Sequence, residues 1–336
     1  MNHNPLPRRI LTYSSIVLVV LLIALWCIGE YFVDYALARK TPEELQEQFA
    51  DTIEEYKNEM EDEHDINAEA VWRQMIYGVA PWYNQTPHQR WQQTAQDGIT
   101  LVANAYMQPQ ATNQWVLCVH GYHEDKYAML TYCRQLYALG YNLLIPDLRG
   151  QGESGGDYIG MGWLDRQDLL GWIDAIVQAN PQAQIACYGV SMGASALLMM
   201  MDLPLPNAVY AIVSDSAYAS VQMEFSALVR QMFSLPAFPF VNVASLVCKV
   251  RAGYTFAQAD ALAALKHNVT PIFFIHGGED TFVPPEHAQL LYGACNAPKE
   301  LWIVPPADHS RAMAYAYDEY WQRVHQFLLL HQPAAQ

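Results

Sequence analysis

Ser191 stands between two glycines in "CYGVSMGASA", residues 187–196, at G-x-S-x-G spacing. The apolar run Gln184–Tyr188 before it reads as a strand, and the small residues after it open a helix. A serine on such a turn is lifted out of the sheet on a strained backbone, which only tiny neighbours such as Gly189 and Gly193 tolerate. The helix N-terminus behind it favours developing negative charge. That is the setting of a nucleophile. A serine hydroxyl needs a histidine base, and the base needs an orienting carboxylate. "LWIVPPADHSRA" closes a strand and puts His309 in the next loop, and "FFIHGGEDTFVP" does the same for Asp280. Loops at the carboxyl ends of parallel strands gather at one edge of a sheet, so the three side chains can converge. Glu279 and Asp308 are neighbouring acids, while His120 and His276 read as turn residues at strand ends. A tetrahedral intermediate also needs amide donors for its oxyanion. Met192, directly after the serine, supplies one. The loop "HGYHED" after the strand Trp115–Val119 offers Tyr122, through its amide or through a side chain that shapes an acyl pocket.

The elements that must hold these residues alternate from about Gln89 onward. Short apolar strands are expected at Ile99–Tyr106, Trp115–Val119, Asn142–Ile145, Gln184–Tyr188, Ala208–Val213, Pro271–Ile275 and Leu301–Val304. Helical periodicity occupies Tyr127–Leu139, Trp163–Ala179, Ala194–Met201, Glu286–Tyr292 and Arg311–Leu330. This is an α/β pattern, a mostly parallel sheet with helices on both faces, over residues 89–332. Between Val213 and Pro271 the rhythm stops, and a segment rich in Phe, Leu, Val and Met implies a helical cap at about 217–265.

In front of this domain, residues 10–28 carry no charge, enough to cross a hydrocarbon core as a helix at about 20 residues per span. A transmembrane signal anchor is therefore expected at 10–29. Arg8 and Arg9 precede it, so the positive-inside rule puts residues 1–9 in the cytoplasm and the catalytic domain outside a cell membrane crossed once. Ala36-Leu37-Ala38 has the form of a cleavage site but lies well past an unusually long apolar run, which favours an uncleaved anchor. Residues 30–88 are expected to form an acidic helical stalk and linker. Thr41 to Glu69 holds twelve acidic residues and one lysine, so −11 of the chain's −16 net charge lies there. Thr41, Pro42 and Glu44 form a capping box for that helix, whose protein partner, if it has one, is unknown. The acidity excludes a nucleic-acid partner. Six scattered cysteines form neither a disulfide framework nor a metal pattern, so no metal is expected. Gly150-Gln-Gly152-Glu-Ser-Gly155 matches G-x-G-x-x-G, but four residues separate it from its strand and no helix follows directly, so no cofactor is expected.

Together "VHGY", "DLRGQGES", "GVSMG", "HGGEDTFVP" and "DHS" resemble the α/β-hydrolase superfamily over roughly residues 89–330, and most resemble bacterial membrane-anchored serine hydrolases of the esterase and monoacylglycerol-lipase-like branches. The resemblance selects Asp280 over Glu279 and implies a Ser191–Asp280–His309 triad, with Asp147 and Arg149 as structural residues of a nearby turn. The short "HGYH" loop departs from the hormone-sensitive-lipase type. The expected reaction is hydrolysis of an acyl or aryl ester of modest size through an acyl-enzyme. An amide-cleaving enzyme with the same triad, using Glu224 of the cap to hold a substrate amine, is the alternative. A non-catalytic membrane-anchored docking protein is the other.

Overall fold

The computed structural model describes residues 8–41, 43–44 and 66–334. Among the described residues, the helices α1 (Arg8–Leu37) and α2 (Ile66–Gln85) precede the sheet. The strands are β1 (Gln89–Thr94), β2 (Thr100–Tyr106), β3 (Gln114–Val119), β4 (Asn142–Pro146), β5 (Gln184–Val190), β6 (Val209–Asp215), β7 (Ile272–Gly277) and β8 (Lys299–Val304). They form one sheet in the order β1-β2-β4-β3-β5-β6-β7-β8. β1 and β2 pair antiparallel with each other and β2 antiparallel with β4, whereas β4 through β8 run parallel.

Near-continuous apolar strands are needed because both faces are covered. Leu117, Val119, Ile185, Cys187 and Ile212 point to one core, shared with α4 (Asp165–Ala179) and α9 (Glu286–Ala294). Their neighbours Val116, Cys118, Ala186, Tyr188 and Ala211 point to the other, shared with α3 (Leu130–Ala138), α10 (Ala312–Tyr315) and α11 (Tyr317–His331). The two-residue period of a strand thus sorts one sequence into two cores. The seven expected strands are all present, with ends shifted by up to two residues. β1 joins them at the exposed edge, where "QRWQQT" has no apolar alternation to announce it.

The insertion between β6 and β7 is helical, as expected. It comprises α6 (Val221–Phe233), α7 (Ala237–Arg251) and the short α8 (Ala261–Ala264), and its one link of strand type is a bridge between Ser220 and Asp260.

Packing on the helices of the sheet begins before residue 89. α2 lies on α3 and α10, with Met75 buried and Trp82 stacked on Tyr106 at 5.1 Å between ring centres. α1 does not end with its apolar run. It continues to Leu37 and buries Phe32, Val33 and Leu37 in the first core. Those residues, with Ala36, form an apolar stripe at helical spacing, and Phe32 on it meets Phe233 of the cap. The capping box is formed: Thr41 N–H donates to Glu44 Oε2 at 2.7 Å, and Glu44 N–H to Thr41 Oγ1 at 3.3 Å. Pro42 and most of the expected stalk lie outside the described residues.

Candidate active site

β5 ends at Val190, and α5 (Met192–Met199) starts two residues later. Ser191 makes the turn between them with φ 53° and ψ −120°, a conformation that costs an L-residue of order 1–3 kcal/mol. The neighbours explain how it is held. A Cβ on Gly189 would lie 2.7 Å from Ala194 N, and one on Gly193 would lie 2.3 Å from Val119 O and 2.4 Å from His120 O. Neither position has room for a side chain. Ser191 N–H donates to Asp215 O at 2.8 Å, tying the turn to the end of β6.

The structure brings the other two expected side chains to this serine. His309 Nε2 lies 2.9 Å from Ser191 Oγ, and His309 Nδ1 lies 2.7 Å from Asp280 Oδ2. The histidine tautomer with its proton on Nδ1 donates to the carboxylate and leaves Nε2 free to accept from the hydroxyl. Asp280 Oδ1 accepts the N–H groups of Phe282 and Val283 at 3.0 and 2.8 Å, so the loop folds around its own carboxylate. Burial pushes this carboxyl up, but hydrogen bonds from His276 and His309 outweigh it and hold it at about 2. The carboxylate on His309 Nδ1 is that of Asp280 rather than of Glu279 or Asp308. Ser310 N–H donates to Ser216 Oγ at 3.1 Å, which fixes the histidine loop against the end of β6.

The loop after β3 lies against the nucleophile, since a Cβ on Gly121 would be 3.5 Å from Ser191 Cβ. Met192 is the first residue of α5, where the N–H has no intrahelical acceptor. Neither the Met192 nor the Tyr122 N–H has a hydrogen-bond acceptor among the described residues. Both are therefore available to an oxyanion. The Tyr122 side chain points elsewhere: its hydroxyl donates to Ala36 O of α1 at 2.6 Å.

Three site residues were read from the sequence as turn residues or not singled out. His276 Nε2 donates to Val283 O at 2.7 Å and lies 3.3 Å from Asp280 Oδ2. His120 accepts the Leu148 N–H on Nε2 at 2.9 Å and donates from Nδ1 to Gly121 O at 2.8 Å, joining the Tyr122 loop to the loop after β4. Asp215 accepts from Tyr320 and Ser216 beneath the elbow. Position at a strand's carboxyl end was the available signal for all three. The glycines of the nucleotide-like motif serve a turn. Asp147 accepts from the Lys126 ammonium at 2.6 Å and from Glu153 N–H at 2.8 Å, and a Cβ on Gly152 would lie 2.3 Å from its carboxyl carbon. Arg149 pairs with Asp168 through both Nε and Nη2.

A solved esterase of Pyrococcus furiosus superposes on 75% of this chain and 94% of its own length, with a TM-score of 0.62 and 23% identity. The fold is that of the α/β-hydrolases. An acylaminoacyl peptidase of Pyrococcus horikoshii matches 77% of this chain and 44% of its own length, at TM-score 0.58 and 16% identity. A family model described as serine aminopeptidase, S33, matches residues 110–246, from just before β3 through most of α7. Among curated sequences, the uncharacterized protein YqkD of Bacillus subtilis is 26% identical over 66% of this chain and 73% of its own. YfhR of Escherichia coli K12 is 25% identical over 76% and 84%.

Proposed function

We propose that this α/β-hydrolase cleaves carboxylic esters through an acyl-enzyme and is held at a membrane by α1. The observation that carries the reading is the hydrogen-bonded series Ser191 Oγ, His309 and Asp280 at 2.9 and 2.7 Å, on a strained turn with two free amides beside it. In this reading Ser191 attacks the ester carbonyl as His309 Nε2 takes its proton. Asp280, ionised down to about pH 2, stabilises the imidazolium. The Met192 and Tyr122 amides receive the oxyanion, and an oxyanion donor of this kind is worth roughly 3 kcal/mol of barrier. His309 then returns the proton to the departing alcohol, and water repeats the sequence on the acyl-serine. The esterase among the structural neighbours and the hydrolase family model are consistent with this class of reaction.

A second reading, amide cleavage, is favoured by one observation. Glu224 on α6 is 2% exposed, neither carboxyl oxygen has a hydrogen-bond partner, and burial with the nearby Asp280 charge pushes it up to about 8. A substrate ammonium would supply the missing partner. Labelling by a fluorophosphonate in wild type, lost in Ser191→Ala, is the expected result for either reading. Folded wild-type protein that stays unlabelled would leave a non-catalytic docking role. Faster turnover of p-nitrophenyl esters than of aminoacyl amides is expected, and the reverse order would select the amide reading.

A further inference from the structure

α1 is joined to the cap and to the candidate site at several points. Glu30 pairs with Arg251 of α7, and the rings of Tyr31, Phe32 and Tyr35 surround Phe233 at the end of α6. Ala36 O holds Tyr122, Ile159 N–H donates to Leu37 O at 2.8 Å, and Arg39 donates to Ser154 O and Gly152 O at 2.6 and 2.7 Å. A helix seated in this way fixes the catalytic domain at one tilt and one height against the bilayer.

The height can be read from α1. Its apolar run ends at Ile28, so the hydrocarbon edge falls near Gly29 and Glu30. The side chains at 13–24 are all exposed, and covering begins at Leu25 and Trp26, one turn inside the run. The covering element is α7, which packs on α1 more extensively than any other helix does. A Cβ on Gly29 would lie 2.8 Å from Val243 and 3.0 Å from Val247, while Arg251, further along α7, reaches Glu30 and Asp34. The two helices therefore run in the same sense, and the start of α7 points back along α1 toward the bilayer. That end carries Phe238, 76% exposed, and the outward stripe of the same helix carries Leu246 and Val250, 54% and 64% exposed. Three large apolar side chains in water on one helix are costly, and a lipid surface removes the cost. Ala36, which holds Tyr122, is eight residues beyond Ile28, about 12 Å along the helix.

We propose that α7 seats its Phe238 end and its Leu246–Val250 stripe in the bilayer surface beside α1, and that Ser191 takes its ester from an acyl lipid resident in that bilayer. The substrate half rests on the ester-hydrolase reading and the membrane half on α1 as a span. The Tyr122 loop, which lies against Ser191, is tied to α1 about 12 Å beyond the end of the apolar run, so the site stands close to the bilayer surface and the rest of an acyl chain can stay in lipid. Phe282, 40% exposed with its ring 5.0 Å from that of His309, gives the mouth an apolar rim.

The test uses the full chain in phosphatidylcholine vesicles. Phe238→Cys is made in a Cys27→Ser background, since the other cysteines are buried, and is labelled with an environment-sensitive fluorophore. Quenching by brominated lipid and protection from iodide are expected. Quenching by iodide alone overturns the membrane-seated face. Separately, Phe238→Asp with Leu246→Asp is expected to lower turnover of a vesicle-borne fluorogenic acyl ester at least fivefold while leaving soluble p-nitrophenyl butyrate turnover within twofold. Equal turnover of the vesicle ester in variant and wild type overturns the lipid-substrate half. Wild type that hydrolyses neither ester overturns the hydrolase reading and the substrate half with it, and the quenching result still decides where the cap sits.

Discussion

At the residue scale the site depends on space as much as on chemistry. Gly193 faces two carbonyl oxygens of the β3 terminus, both backbone, so they cannot swing aside for a methyl group. Gly193→Ala is expected to shift the Tyr122 loop and lower kcat about a hundredfold, the scale of losing one oxyanion donor. A large loss in KM alone would speak against that geometry. Asp280→Asn keeps the shape but presents the wrong partner to His309 Nδ1, and a loss of about ten-thousandfold in kcat is expected. Glu224 gives a pH test. Its folded-state value, about 8, exceeds the ordinary 4.5, so the folded protein holds a proton that the unfolded chain releases. Stability should therefore fall as pH rises from about 4.5 toward 8. Glu224→Gln removes that slope, and thermal unfolding should show the variant gaining up to about 4 kcal/mol at pH 8 and nothing at pH 4.

At the element scale the legible parts were those with a strong local period or a fixed motif. The central strands alternate between two apolar cores, and Ser191, Asp280 and His309 each close a strand, so their meeting followed from topology. β1 escaped notice because an exposed edge strand can be polar on both faces. α2 carries Pro81 inside it and follows a long acidic run, so it read as linker although it packs on α3. The tail of α1 was missed for a different reason. Glu30 and Asp34 interrupt its apolar pattern, and its partners, Tyr122, Ile159 and Phe233, lie far along the chain. The contact between α1 and α7 is predicted to depend on closeness rather than charge. Gly29→Leu should cost about 1–3 kcal/mol in thermal unfolding by forcing Val243 and Val247 apart. Glu30→Ala should cost under about 1 kcal/mol, because its pair with Arg251 is partly in water.

At the scale of the whole molecule, α1 is a structural member of the domain. Removing residues 1–28 leaves Phe32, Val33 and Leu37 in place, and thermal stability in detergent should change little. Removing residues 1–40 takes those three side chains out of the core, at roughly 5 kcal/mol in total. A similar unfolding temperature for the two truncations would show that the tail of α1 carries no packing energy. The bond between Glu30 and Arg251 spans 221 residues of chain. A ribosome adding about 5–20 residues per second leaves that gap open for about 10–40 seconds. Through that interval the end of α1 has its earlier partners Tyr122, Ser154 and Ile159, while Phe32 still waits for Phe233. Closure of the domain around α1 therefore waits on the cap, whose helices are the last of its partners to be made.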